Sequence, residues 1–254
     1  MKGKLLIILL ALCVPYIYSQ EAKNDIDFKE EDNRKDMEEL STYSFSVAYR
    51  IEAGYVQDWQ NSRTDNYRET YFHGGRAGVT FDFNLPYNLS MQTGVLYSLT
   101  YGKNEQHVRN AFDEAGQIQV IEHNITKHNI VVPIRATYTQ KIWRKLAMYF
   151  YAGPQLQFSV SQHDKIEASL NEQTRLWCEQ QNLHLDSYDI IKDGEQHIFN
   201  IQLGVGGGLQ WDKFRLYSGY DFGLNDLVKK SDKVAAEKRK MWEWGWFVSF
   251  AYTL

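Results

Sequence analysis

Histidine, aspartate and a cysteine gather in one stretch of this 254-residue chain: His163-Asp164, Cys178, His184-Leu185-Asp186 and Asp189. Such side chains bind zinc, or pair as base and acid in a hydrolase. Their spacing fits no metal or nucleophile motif, so a solvated or self-packed loop is expected, with no catalytic residue, no metal site and no cofactor. The run Gly204 to Gly208 suggests a phosphate-binding loop, but it lies in a strand pattern with no helix after it, which points to close packing instead. A third set mixes charge signs: Arg50, Glu52, Arg76, Asp82, Arg135, Asp221 and Glu243. Arginines and carboxylates of this kind suit a buried network in which each charge has a partner. They also suit a narrow path for ions.

Strands must position those charges. At the end of the chain Trp242, Trp244, Trp246, Val248, Phe250, Tyr252 and Leu254 alternate with Glu243, Gly245, Ser249, Ala251 and Thr253. Side chains leave a sheet on opposite faces every second residue, so this strand separates two environments. The same alternation predicts seven earlier strands: Tyr43 to Gln57, Thr70 to Leu85, Leu89 to Tyr101, Ile130 to Tyr138 (with a ribbon starting as early as Ile118), Ala147 to Val160, His197 to Trp211, and Phe214 to Asn225. Pro86-Tyr87-Asn88, Gln140 to Lys145 and Asp212-Lys213 form short links between them, and the other gaps are long. The longest non-strand stretch is expected from Ser161 to Gln196. Short and long connections in strict turn describe an all-β, eight-stranded, antiparallel, up-and-down transmembrane β-barrel with long extracellular loops and periplasmic turns.

Alternation alone does not say which face is inside, because a soluble lipocalin-like carrier alternates too. The polar face decides for the membrane. A water-exposed sheet favours Lys and Glu and avoids Gly. Here lysines fall in loops, turns and linker, and Gly, Ser, Gln and Asn accompany the seven charges named above. Small residues and paired charges suit a narrow lumen, which eight strands leave just wide enough for side chains to fill. On the apolar face Tyr43, Tyr55, Tyr101, Tyr138, Trp211, Trp242 and Tyr252 fall toward strand ends, as two aromatic girdles at the headgroup level would require.

Composition sets the bounds. Met1 to Ser19 has Lys2 and Lys4 before the apolar run Leu5 to Val14, and reads as a secretory signal peptide. Leu12 is too large for the lipobox that would make Cys13 a lipidation site. Residues 20–40 form a charged periplasmic segment without strand period, and 41–254 form the barrel. Once the signal is removed Cys178 is the remaining cysteine, so no internal disulfide forms. The formal net charge of −4, with no basic stripe, argues against nucleic acid as a partner. No apolar run of about 18 residues follows the signal, which excludes helical membrane spans.

Three stretches resemble the PorT-like family of outer-membrane β-barrel proteins: Ile130-Val131-Val132-Pro133-Ile134-Arg135, Tyr151-Ala152-Gly153-Pro154, and Ser218-Gly219-Tyr220-Asp221-Phe222-Gly223-Leu224-Asn225. The resemblance covers about Tyr43 to Leu254. It implies the same architecture, and through the family's namesake a link to type IX protein secretion. The terminal strand also resembles the signal read by the barrel-assembly machinery, with Leu254 in place of the commoner aromatic. The expectation is a non-enzymatic outer-membrane protein in a structural or accessory envelope role. Its partners would be outer-membrane lipid, the assembly machinery and an envelope or secretion protein met by the outer loops. A narrow pore and a soluble lipocalin-like carrier are the alternatives.

Overall fold

A strand in hydrocarbon needs a bonded neighbour on each side, and antiparallel pairing supplies both for every long strand of the chain. The computed structural model describes residues 46–62, 68–109, 118–180, 185–194, 196–228 and 240–254. The expected signal peptide, the charged segment and Tyr43 lie outside them. The elements are β1 (Val47–Ser62), β2 (Arg68–Asn84), β3 (Leu89–Arg109), β4 (Ile118–Trp143), β5 (Leu146–Ser169), α1 (Glu172–Gln180), β6 (Tyr188–Asp189), β7 (Phe199–Trp211), β8 (Phe214–Gly223) and β9 (Met241–Thr253). Pairing runs β1–β2–β3–β4–β5–β7–β8–β9 and returns to β1, which closes an eight-stranded ring with β6 as a short addition to β5.

Three tight turns mark one end. In the first, Tyr87 and Asn88 both have φ of 61°, and the Leu89 N–H reaches the Pro86 carbonyl at 3.3 Å. Two successive left-handed residues give a mirror-type hairpin turn, whose twist matches that of the strands it joins. Arg144-Lys145 and Asp212-Lys213 form the others, with Asp212 also left-handed.

Exposure alternates around the ring as the residue types do. Tyr49, Ile51, Val79, Val95, Tyr97, Phe150, Leu216, Val248 and Phe250 are exposed on the outside, whereas Arg50, Glu52, Arg76, Gln92, Arg135, Gln155 and Ser249 are buried inside. A soluble carrier has the opposite arrangement.

Strand lengths are unequal. The 10 residues of β8 cover about 33 Å of strand, enough at the usual tilt for an apolar band of about 25 Å. The 26 residues of β4 cover about 88 Å and overshoot that band toward the loop end. Beyond the row His73–Tyr101–Thr126–His163 polarity inverts. Lys103, Glu105, Glu122, Lys165 and Glu167 now face outward in ion pairs, and Ile121, Ile125 and Ile166 face inward, buried. Water on the outside explains the inversion. We call this overhanging part of β3–β5, with β6 and α1, the platform.

Two expectations are corrected here. Strand five does not end at Val160, and Ser161 to Gln196 is not strand-free. Asn129 pairs with Ser159 and His128 with Ser161, so Val160 is an inserted bulge residue, after which β5 continues to Ser169 in the opposite phase. A fixed two-residue period loses the strand at that step. Strand four begins at Ile118, the earlier of its two expected starts, and its first residues lie in the overhang.

The face assignment carries a direct expectation. Val248→Lys, placing a cation on the outer apolar band, lowers the urea refolding stability in lipid vesicles by about 2–4 kcal/mol. Lys165→Ala, also outward but beyond the polarity inversion, leaves the unfolding midpoint unchanged.

Candidate functional site

The lumen is filled by charged, amide and aromatic side chains. Among the described residues five cations, Arg50, Arg76, Lys127, Arg135 and Arg215, and six anions, Glu52, Asp58, Asp82, Asp164, Asp221 and Glu243, are buried on the inward face, Asp164 within the platform.

Three groupings follow the axis from the turn end. In the first, Asp82 pairs with both Arg50 and Arg215 and accepts from Gln92 Nε2 at 3.0 Å. Arg215 also donates to Gln210 at 2.7 Å and lies over the Tyr149 ring at 3.7 Å. In the second, Arg76 meets Glu52 at 2.8 Å and Ser249 at 3.1 Å, with its guanidinium 3.4 Å from the centre of the Phe247 ring. Arg135, fully buried, donates to Gln155 at 3.0 Å and lies over Tyr151, and Gln155 donates in turn to Gln202 at 2.8 Å and Asp221 at 3.1 Å. Tyr149, Tyr151, Tyr217 and Phe247 form the aromatic heart of this layer. In the third, Lys127 pairs with Glu243, which also accepts from Gln60 and Gln157, each at 2.7 Å.

Glycines make the packing possible. A methyl group at Gly206 would meet the Tyr151 ring, and one at Gly204 would lie 2.6 Å from the Asp221 carboxylate. The run Gly204 to Gly208 sits in β7 and turns into β8, with no helix to present a phosphate cradle. Space for neighbouring side chains accounts for it.

All seven charges singled out in the sequence line this interior, and the structure adds Lys127, Arg215 and Asp58. Lys127 corrects the expectation that lysines fall in loops, turns and linker: it lies on β4, buried in the lumen. Phe247, inward between Gly245 and Ser249, breaks the small-polar pattern of its face and is fully buried against Arg76. The girdle residues Tyr55, Tyr101, Tyr138, Trp211 and Tyr252 are exposed on the outer face, and Trp242 is half-buried. Tyr138, Trp211 and Tyr252 stand near the turn end, whereas Tyr55 pairs with Val248 well inside the band. Toward the loop end Trp59, paired with Tyr71 and Trp244, adds rings beyond the seven expected in the girdles.

The histidine and aspartate candidates separate. His163 is exposed on the outer face of the platform, while Asp164 points inward to His123 Nδ1 at 2.8 Å. Cys178 is buried on α1 against Ile121 and Ile166, and burial raises its thiol pKa. His184 lies outside the described residues, Asp186 is exposed, and no metal-binding group of three occurs among the described residues. Asn171 caps α1 by accepting from the Thr174 N–H at 2.8 Å. Burial pushes the Asp189 carboxyl up, but hydrogen bonds from Ser161 Oγ (2.6 Å) and from the backbone N–H groups of Lys192, Gln162 and Ile191 outweigh it and hold it below the ordinary range.

The family described as outer membrane protein beta-barrel domain matches residues 18–229. No curated protein matches the chain. Among solved structures the chain is similar to Ail, the attachment invasion locus protein of Yersinia pestis, at 14% identity and a TM-score of 0.37, over 82% of this chain and 99% of that one. It is also similar to Neisserial surface protein A at 11% identity and 0.38, over 82% and 99%. A third is OprG from Pseudomonas aeruginosa, at 10% identity and 0.36, over 83% and 97%.

Removing one partner of a buried pair strands the other charge. Lys127→Met is expected to cost about 3–5 kcal/mol in refolding titrations. Adding Glu243→Gln recovers part of that loss, so the two changes fall well short of additive in a double-mutant cycle.

The Asp189 contribution is present at neutral pH, above the ordinary carboxylate pKa of about 3.9, and is lost as pH falls through the lower folded value. Hydrogen exchange at the Ile191 and Lys192 amides, corrected for its intrinsic pH dependence, stays protected down to about pH 5 and loses protection below about pH 4. Asp189→Asn removes the protection already at neutral pH.

Proposed function

The chain belongs to the outer membrane protein β-barrel domain family, and from that premise we propose a non-enzymatic envelope protein whose filled lumen serves structure and whose platform meets a partner outside the cell. The observation that carries this reading is the overhang of β3, β4 and β5 beyond the apolar band, with a packed core of Ile121, Ile166 and Cys178 beneath a charged outer surface. A barrel needs no such extension to cross a bilayer. Cys178 of α1 packs beneath it and β6 pairs with β5, so the platform is a backed surface with a lower ordering cost of binding.

Within the family we place the chain among PorT-like barrels, on Ile130 to Arg135, Tyr151 to Pro154 and Ser218 to Asn225. An accessory role in secretion or envelope upkeep follows from that placement. Met1 to Ser19 serves as the export signal, residues 20–40 stay in the periplasm with the three tight turns, and the alternating β9 is the element offered to the barrel-assembly machinery. The hydrogen-bonded lumen favours structural filling over conduction. Each charged grouping is tied into hydrogen bonds that a passing ion would have to break.

Labelling and conductance test this together. On intact cells, Lys165→Cys reacts with a membrane-impermeant maleimide, Lys213→Cys reacts only after the outer membrane is permeabilised, and buried Cys178 stays silent in both. Reversed labelling overturns the orientation. Planar bilayers containing the protein show no discrete current steps, whereas steps altered by Arg50 or Glu243 substitutions would establish the narrow pore instead.

A further inference from the structure

The turn joining β4 to β5 carries charge that neither the lumen nor the platform uses. Lys141, Arg144 and Lys145 are exposed there, and Lys213 stands on the next turn. The acid beside them is Asp212, 3.6 Å from Lys145 in a pair that is itself largely exposed. On the outer side of the same turn Trp143 is 73% and Trp211 66% exposed, although indole rings are large and mostly apolar. These two rings, with Arg144, Lys145 and Leu146, line a recess of about 450 Å³. Leu146 and Trp211 are cross-strand partners, so the floor of the recess is fixed by the β5–β7 pairing.

Arg144 and Lys145 also line the mouth of the lumen, a cavity of about 470 Å³. The basic pair thus stands on the rim, with water and the mouth on one side and an indole-walled hollow on the other. Cations within reach of a phosphate, directly above apolar surface at the level where indoles settle, match the profile of a lipid at its headgroup. A soluble anion gains nothing from Trp143 and Trp211. A choline headgroup brings its own cation to a site already rich in them.

We propose that this recess binds an anionic glycerophospholipid, its phosphodiester held by Arg144 and Lys145 and its first acyl carbons against Trp143, Leu146 and Trp211. The proposal rests on the membrane placement above and identifies a lipid that the turn end selects. Arginine's planar fork suits two phosphate oxygens at once, and the lysine adds a mobile point charge.

The test uses the full exported chain in nanodiscs of equal phosphatidylglycerol and phosphatidylcholine, followed by native mass spectrometry on release into detergent. Wild-type protein retains phosphatidylglycerol in preference to phosphatidylcholine. Arg144→Ala/Lys145→Ala lowers that preference about tenfold or more, and Trp143→Ala shortens retention with the charges intact. Lys103→Ala/Lys165→Ala, which removes equal charge at the other end, leaves the preference unchanged. Heat-modifiable gel migration confirms that each variant is a folded barrel, and raised salt must displace phosphatidylglycerol from the wild type. Equal retention of the two lipids, or equal loss in the distal control, overturns the site. Failure of the chain to enter nanodiscs overturns the membrane placement instead.

Discussion

Hydrocarbon offers a backbone amide nothing to bond, and the closing pair β1–β9 is what lets this chain live with that fact. It takes the last strand back to the first, from Arg50 opposite Thr253 to Ser62 opposite Met241, and leaves no edge in the apolar band. Other features of the barrel follow from closure. Within the apolar band one face of each strand must meet lipid and the other a narrow axis, so residues there are sorted by parity between bulges.

The axis then poses its own problem, since buried charge is expensive unless paired. The chain answers by giving its buried charges local partners. Asp82 sits between two arginines, Arg76 meets Glu52 and Lys127 meets Glu243, and Arg135 is held by Gln155 and the Tyr151 face. Aromatic rings stacked under guanidinium groups fill volume and attract charge in one stroke. The inward glycines of β7 are the space in which this happens.

Much of the ring was legible because closure writes itself into the sequence as a two-residue period. Val47 to Ala53, Met91 to Tyr101 and Trp244 to Leu254 show it plainly, and the seven charges on the opposite parity could be assigned inward from residue type. What was lost lies where the period changes meaning or phase. Above the row of Tyr101 and His163 the outside is water, so Glu122 and Asn124 point out and Ile121 and Ile125 point in; a rule expecting grease outside reads that stretch as loop, and takes Lys127 with it. In β5 the phase slips at Val160, and the strand vanishes from the pattern though the backbone continues. Trp211, at a strand end, was readable as an interfacial ring, whereas Trp143 falls in an expected short link, and the recess between them depends on the β5–β7 register, which no single strand encodes.

The bulge at Val160 has a consequence for reading the wall residue by residue. Before it Gln155 and Gln157 face the axis, and after it Gln162, Asp164 and Ile166 do. One supernumerary residue thus moves the inward side from odd to even numbers while the backbone ladder runs on. Counting in twos across that step lands on the wrong side of the cylinder.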